Sequence, residues 1–413
     1  MAIRHHHVKR IREFGLKRSL GLFEVTVAGI GIILGAGIYA LIGIASGYAG
    51  NAVWLSFLFS AILGAFTGLS YAELASFFKK DGGEYDYANS AFGSKMGWVV
   101  GIMVIATAFI SAATVALGFG NYLQALIGGN VLLFGFLIVL VTTIVNMAGI
   151  KESSAFNIVC TIIETLGLVF IIIFGLKYLG KVNYLEMAQG LHGVFRAAAL
   201  VFFAYMGFES IVKLTEETKN PNKTIPKALI LSVALSAVIY ITVALVAVSV
   251  IPWQELSASK APLAQVAAFL VGSKAFVVLA IVALFSTANT VLVTLVTGSR
   301  LVYGMAGEGS LPRLLSKINR ATRTPWNAII ALSVITFAFV LIGDIGFVAN
   351  LNDVFLFITF GLVNLANIVL RYKMKNAKRG FVAPLNIGKF PVLSFLGVLV
   401  SFFMMVYALI NIL

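Results

Sequence analysis

The chain alternates long charge-free runs with short polar segments, and the first two runs already indicate its architecture. Residues 25–72 form a run of 48 without a charged side chain, and 96–150 form a run of 55. A helix that crosses a bilayer needs about 20 consecutive apolar residues, so each run predicts two membrane-spanning helices. The joining turns are predicted at 46–51 and 128–130, where glycine and asparagine interrupt the apolar pattern.

Further apolar runs complete the set of predicted spans. They lie at 154–176, 195–213, 228–250, 275–300, 325–343, 347–370 and 390–412. Together the runs predict an all-α integral membrane protein with about eleven transmembrane helices. Because the runs are continuously apolar and do not alternate with a period of two, they do not favour a transmembrane β-barrel.

Composition supports the membrane assignment and excludes other classes. The 413 residues are 60% hydrophobic and 11% charged, whereas a soluble domain carries about 25% charged residues. The single cysteine, Cys160, excludes an intrachain disulfide framework and a zinc site made of several cysteines. Three adjacent histidines at 5–7 lie in a basic tail, where a solvated tail is favoured over a metal site.

The net charge of +14 is explained by the way the basic residues are distributed over the predicted loops. With the N-terminus placed inside, 25 of the 30 Lys and Arg residues fall in inner segments. The five that fall outside are Lys177, Lys181, Arg196, Lys260 and Lys274. This asymmetry follows the positive-inside rule. It predicts a multi-pass cell-membrane protein with a cytoplasmic N-terminus and an outer C-terminus, and it explains the charge without a nucleic-acid partner.

The first span is unusually rich in glycine near its middle. It contains Gly29, Gly31, Gly35 and Gly37. One interpretation is a helix-packing face of small residues, with Gly31 and Gly35 as a GxxxG pair. The other is an unwound segment whose free N–H groups bind an anion near the middle of the membrane.

Two glutamates lie inside apolar spans, where ionisable side chains are costly and therefore mark candidate functional sites. Glu209 is in the sixth span, and its alternative role is that of an acceptor that caps broken backbone or pairs with a nearby base. Glu164 is in the fifth span. It is a candidate proton carrier or cation ligand, or a hydrogen-bond partner for Ser or Thr on a neighbouring helix.

Five motifs occur in one order along the chain. They are the glycine-rich segment 29–39, GG-x-Y-x-Y at 82–87, FFAYMGFE at 202–209, E-x-x-NP-x-x-x-IP-x-A at 217–228, and G-x-L-P at 309–312 followed by Thr324-Pro325. Through these motifs, nearly the whole chain resembles the amino acid–polyamine–organocation (APC) superfamily of transporters. Each motif alone is weak, and their shared order carries the resemblance.

The chain departs from this superfamily at three points. Gly307-Glu308 stands where members often have Arg-Asp, and eleven spans are predicted where many members have twelve. The lysine that serves as a cation site in the fifth helix of some members is absent, and the stretch reads Thr-Ile-Ile-Glu at 161–164. This last departure leaves the coupling ion open.

The resemblance implies a fold of two inverted five-helix repeats, the LeuT-like or APC fold, with helices 1 and 6 broken and one helix added. The implied division is a cytoplasmic tail at 1–20, a ten-helix core at 21–371 with repeats at 21–180 and 190–371, a basic cytoplasmic loop at 372–389 and an eleventh helix at 390–413. Spans 1 and 6 are also the spans in which glycines or a carboxylate interrupt the apolar pattern.

The resemblance further implies a secondary active transporter, not an enzyme, that moves an amino acid by alternating access and requires no organic cofactor. The substrate carboxylate is expected at the N–H groups of Gly35, Ala36 and Gly37, and its ammonium at the carbonyls of Phe202, Phe203 and Ala204. Tyr205, Ser111 and Thr114 are expected to shape the side-chain pocket. The expected partners are the amino acid and the bilayer, and the oligomeric state stays open.

The mode of coupling has several alternatives. Ser286 and Thr287, with carbonyls at 28–32, stand where the superfamily can hold a sodium ion, although ordinary hydrogen bonding to their own helix is an equal alternative. Glu164, or less directly Glu209, is the candidate proton carrier, and exchange needs neither ion. The competing functions are transport of a polyamine or another organic cation, and a membrane receptor or structural protein that does not transport.

Overall fold

The computed structural model describes residues 19–78 and 83–413. The histidines at 5–7 and the first glycine of the GG-x-Y-x-Y motif lie outside the described residues. The described part of the chain is mainly helical, as the continuous apolar runs predicted.

The helices of the first half are α1 (Leu22–Ile33), α2 (Ala36–Ala49), α3 (Val53–Ala75), α4 (Glu84–Phe92), α5 (Ser94–Ile127), α6 (Val131–Ala148) and α7 (Ile150–Gly175). Those of the second half are α8 (Gly190–Val201), α9 (Pro221–Val250), α10 (Trp253–Ala258), α11 (Pro262–Val271), α12 (Ser273–Gly307), α13 (Trp326–Val340), α14 (Ile345–Lys373) and α15 (Val392–Ile412). Short 3-10 helices occupy Gly50–Ala52, Leu176–Tyr178, Phe202–Tyr205, Phe208–Glu217 and Arg313–Ser316. An antiparallel pair, β1 (Asn386–Ile387) and β2 (Phe390–Pro391), precedes α15.

Within the described ranges, nine helical stretches are long and apolar enough to cross a membrane. One of these, Ala36–Ala75, is 40 residues long and contains both α2 and α3. Trp326–Val340 has only 15 residues, which is short of the roughly 20 that a bilayer requires. The multi-pass helical architecture is therefore confirmed, while the number eleven and the inverted repeats stay predictions.

The first predicted span is interrupted in its middle. The helix α1 ends at Ile33, and Leu34 and Gly35 are extended before α2 begins at Ala36. Each of the two interpretations of the glycines therefore applies, but to a different residue. The chain unwinds at Gly35, whereas Gly31 is a packing position, because a Cβ atom there would lie 2.8 Å from Thr161 Cγ2 of α7.

The sixth predicted span is interrupted in a similar way. The helix α8 ends at Val201, a 3-10 turn follows, and Met206 is extended. Gly207 has a φ of 109°, a left-handed conformation that glycine adopts without the steric penalty of a Cβ atom. The chain then continues as the 3-10 helix Phe208–Glu217.

The two interruptions touch each other. A Cβ atom on Gly37 would lie 2.5 Å from Ala204 Cα, and one on Gly207 would lie 2.8 Å from the Ile32 carbonyl oxygen. Backbone therefore meets backbone at both points. Transporters that carry interrupted helices bind their substrate where two such helices meet, so this contact positions the candidate site.

The basic loop 372–389 is held against the helices by a buried carboxylate. Glu73, near the end of α3, is fully buried and accepts a hydrogen bond of 2.7 Å from Arg371 Nε on α14. Arg379 Nε lies 3.2 Å from the same carboxylate, and the Ala383 N–H donates to it at 2.9 Å. Burial lowers the pKa of the Arg379 guanidinium below its usual value. The loop is thus fixed to both α3 and α14.

Candidate functional site

A cavity of about 880 Å³ lies where the two helix breaks meet. Its walls come from both breaks and from α5, α7 and α12. From the breaks it extends along α12 to Arg300 and Glu308, and it reaches Glu84 at the start of α4. These last residues belong to segments that the charge pattern places on the inner side.

The other end of the site is covered by helices. A Cβ atom on Gly43 of α2 would lie 2.8 Å from the Leu256 carbonyl oxygen of α10 and 3.4 Å from Pro262 of α11. Among the described residues, the cavity wall includes none from 252–274, the segment that carries α10 and α11. The cavity therefore extends from the breaks toward one face of the protein.

Six of the nine predicted substrate residues line this cavity. They are Gly35, Ala36, Gly37, Ser111, Phe203 and Ala204. Residues from two distant parts of the chain and from α5 thus lie around one cavity. Their contact with a substrate stays a prediction.

The other three predicted substrate residues lie behind the wall. The Phe202 ring packs against Phe357 and Phe360 of α14, with ring centres 5.0 and 5.9 Å apart. Tyr205 donates its hydroxyl to the Phe57 carbonyl at 2.9 Å, and Thr114 donates to the Ile110 carbonyl at 3.0 Å. Helical phase explains the difference, because neighbouring positions on a helix point in different directions. In this conformation the side chains of Tyr205 and Thr114 are not part of the described wall, and the role of the Phe202 carbonyl stays a prediction.

The predicted anion-binding N–H groups lie at the start of α2. The first N–H groups of a helix have no acceptor within the helix and carry a partial positive charge. The Ala36 N–H already has an acceptor, because it donates a hydrogen bond of 3.3 Å to Thr290 Oγ1 of α12. Gly35 and Gly37 border the cavity on either side of Ala36. Thr290 was not predicted, and only its polarity within an apolar span marks it in the sequence.

The predicted cation-binding carbonyls have one unexpected partner. The Tyr240 hydroxyl of α9 lies 3.0 Å from the Ala204 carbonyl oxygen and 2.8 Å from that of Ile33. The Phe203 carbonyl accepts a hydrogen bond from the Met206 N–H at 3.3 Å. A carbonyl oxygen has two lone pairs, so each of these can accept a second donor. Tyr240 was missed because a tyrosine within an apolar run resembles a core residue.

Glu164 lies at the same depth as the first break. Its side chain is 1% exposed and borders the cavity, and its backbone carbonyl accepts the Tyr39 hydroxyl of α2 at 2.7 Å. The fully buried Ser286 of α12 is beside the Glu164 carboxyl. Among the described residues, neither Glu164 Oε2 nor Ser286 Oγ has a hydrogen-bond partner. Buried polar atoms without partners are costly, so this pair suits a bound proton or hard cation.

Thr287 and Glu209, the other two predicted coupling residues, have local partners. Thr287 donates to the Ala283 carbonyl of its own helix at 2.8 Å, which is the alternative considered for it. Glu209 Oε2 accepts the Gly207 N–H at 2.8 Å and so caps the second break, although its side chain also borders the cavity. Neither Ser286 nor Thr287 is part of the cavity wall among the described residues.

Polar side chains of α12 continue the cavity wall away from the breaks. Thr290, Thr294 and Thr297 recur at helical spacing and border the cavity. Asn289 donates to Asn157 Oδ1 of α7 at 2.9 Å, and both amides are part of the wall. The sequence did not mark this polar wall, because single Thr and Asn residues are scattered through most of the predicted spans.

Two interrupted helices in contact beside a central cavity, within a multi-pass helical protein, are characteristic of secondary transporters. The sequence model of the Amino acid permease family matches residues 20–412 of this chain. The chain therefore belongs to the amino acid permease family of the APC superfamily, which confirms the resemblance drawn from the motifs. Membership indicates a transporter rather than an enzyme.

Curated relatives carry several different names. The chain is 30% identical to the branched-chain amino acid permease BcaP of Bacillus subtilis (strain 168), over 90% of this chain and 85% of the relative. It is 28% identical to the methylthioribose transporter of the same organism, over 89% and 84%. It is also 28% identical to the vacuolar cationic amino acid transporter 4 of Arabidopsis thaliana, over 89% of this chain and 65% of the relative.

Proposed function

We propose that the protein is a secondary active transporter that moves an amino acid across the cell membrane by alternating access. The observation that carries this proposal is the cavity bordered by both helix breaks, where Gly37 of the first break packs against the backbone of Ala204 in the second. A zwitterion needs donors for its carboxylate and acceptors for its ammonium, and the two breaks supply one of each.

The charges of the cavity wall favour a zwitterion, or a zwitterion with an additional positive charge, over a simple anion. Its described carboxylates are Glu84, Asp86, Glu164, Glu209 and Glu308, and its described basic residue is Arg300. A cavity in which one sign of charge predominates raises the local concentration of the opposite ion. The excess of carboxylates in the described wall is also the reason to keep an organic cation as the alternative substrate.

The conformation is proposed to be the inward-facing one. The cavity extends toward Arg300 and Glu308, and α10 lies over the opposite end. In alternating access, the site is exposed to one side at a time while the halves of the protein rock around it. The outward-facing state requires α10 and α11 to separate from α2.

Uptake by purified protein in liposomes tests the function. Radiolabelled L-leucine, L-arginine and methylthioribose are supplied outside, with sodium and pH gradients imposed separately. Saturable uptake or exchange of an amino acid is expected, and the gradient that accelerates it identifies the coupling ion. If only methylthioribose is transported, the substrate class is wrong. If no compound is taken up by folded protein, the transporter proposal fails.

Coupling is proposed to occur at Glu164 and Ser286, whose unpartnered oxygens can hold a proton or, with nearby carbonyls, a sodium ion. Glu164→Gln keeps the shape but removes the negative charge. We expect gradient-driven uptake to fall at least tenfold while exchange at equal ion concentrations persists. The control is Glu255→Gln, an exposed carboxylate on α10. Full gradient-driven uptake by Glu164→Gln would exclude Glu164 from coupling.

A further inference from the structure

Tyr240 joins the two interrupted helices through a single hydroxyl group. It lies in α9, is fully buried, and places its oxygen 2.8 Å from the Ile33 carbonyl and 3.0 Å from the Ala204 carbonyl. Ile33 is the last residue of α1, and Ala204 precedes the break at Gly207. Both carbonyls are of the kind that a helix end leaves without an intrahelical donor.

One hydroxyl proton serves two acceptors in this arrangement. A phenol has a single O–H donor, so the proton is shared in a three-centre bond or alternates between the two carbonyls. Without it, two carbonyl oxygens from different helices would lie close together with no donor between them. The hydroxyl therefore sets the spacing of the two breaks at the depth where Gly37 contacts Ala204.

The Tyr240 side chain is held from behind the cavity wall. Its ring lies 5.7 Å from that of Phe57 and 5.3 Å from that of Tyr205, measured between ring centres. Ile33 and Ala204 border the cavity, whereas Tyr240 is not part of the described wall. A substrate ammonium would thus approach Ala204 from the cavity side, at the lone pair that the hydroxyl leaves free.

We propose that Tyr240 is a positioning residue for recognition of the substrate ammonium, which rests on the proposed function in amino acid transport. The hydroxyl holds the Ala204 carbonyl at a fixed distance from the N–H groups of Gly35 and Gly37, so that one zwitterion spans both breaks. Preorganising a site in this way lowers the ordering that binding must impose. The expected consequence is a selective preference for substrates that carry the α-ammonium.

The test compares Tyr240→Phe with Tyr122→Phe in the liposome exchange assay. Phenylalanine keeps the ring packing and removes only the hydroxyl. Tyr122 is an equally buried tyrosine on α5 whose hydroxyl donates to the Tyr39 carbonyl at 3.0 Å, in the first turn of α2, and so does not link the two breaks. The probe is L-leucine, or L-arginine if it exchanges faster. The competitor is the analogue of the probe without the α-amino group, which is 4-methylpentanoate for leucine and 5-guanidinopentanoate for arginine.

For Tyr240→Phe we expect KM to rise about tenfold, with the maximum rate within about twofold of wild type. The preference for the amino acid over its desamino analogue should fall by a similar factor. Tyr122→Phe should leave both quantities unchanged. If KM and the preference are unchanged in Tyr240→Phe, the hydroxyl is merely structural, even if the melting temperature falls. The same conclusion follows if KM and the preference change equally in Tyr240→Phe and Tyr122→Phe. Absence of exchange in the wild type would instead reject the proposed function.

Discussion

At the scale of single residues, the candidate site depends on positions where a side chain is missing. Gly37 allows the backbone of the first broken helix to approach Ala204, and Gly207 allows the second to approach Ile32. The hydrogen-bonding groups that these approaches bring together belong to the backbone. A change of one methyl group is therefore expected to act on the site directly.

We expect Gly37→Ala to lower amino acid exchange at least tenfold, because the new methyl group would lie 2.5 Å from Ala204 Cα. Overpacking of this kind also destabilises a protein by about 1–3 kcal/mol. The measurement is exchange in liposomes together with the melting temperature in detergent. Gly307→Ala is the control, since a Cβ atom at that helical position meets no described atom within 4 Å. Wild-type exchange by Gly37→Ala would contradict a fixed contact between the breaks.

The sequence predicted the backbone part of the site better than its side chains. Gly35 and Gly37 were recognisable because they belong to a cluster of four glycines in the first span, and glycine has a direct conformational meaning. Thr290 and Tyr240 were not, because their roles arise from contacts with residues more than 200 positions away, at Ala36 and Ile33. Such contacts depend on how the helices pack, which hydropathy does not encode.

At the scale of the elements, hydropathy located the helices but not all of their ends. The predictions 154–176 and 390–412 agree closely with α7 and α15. The prediction 228–250 missed the first turns of α9, which begins at Pro221, since those turns are polar. The sixth span was predicted at 195–213 with a break implied by the resemblance, and the structure divides this region into α8 and two 3-10 helices. Hydropathy alone does not locate such a break, because the residues on both sides of it are equally apolar.

The buried carboxylate of Glu73 is a polar link between three elements. It joins α3 to α14 and to the loop 372–389 through Arg371 and Arg379. Removing one partner of a buried ion pair leaves an uncompensated charge, which costs about 3–5 kcal/mol. The packing of α3, α14 and the loop decides which arginines reach Glu73, so the identity of the two partners required the structure.

We expect Glu73→Gln to reduce the free energy of unfolding by about 3 kcal/mol or more and to lower the melting temperature in detergent. The amide keeps the shape but leaves the guanidinium groups of Arg371 and Arg379 without their counter-charge. Glu308→Gln, at the exposed end of α12, is the matched control and should melt as the wild type does. Equal melting of both variants would mean that the ion pairs contribute nothing net to stability.

At the scale of the whole molecule, the direction of the cavity and the charge pattern point the same way. The basic loops predict which face is inside, and the cavity extends toward that face along α12. The helix packing shows which end of the protein the cavity opens toward, and the loop charges predict that this end is the inner one. Together they predict an inward-facing state.

The two ends of α12 allow this state to be tested with cysteine labelling. Thr297 borders the cavity and Lys274 is exposed near the other end of the helix, about 35 Å away at 1.5 Å per residue. In a Cys160→Ser background, which removes the one native cysteine, a membrane-impermeant thiol reagent should label Thr297→Cys only from the inner face. Bound amino acid should slow that labelling, since it fills or closes the cavity. Lys274→Cys should react only from the outer face. Labelling of Thr297→Cys from the outer face alone would reverse the assigned direction of the cavity.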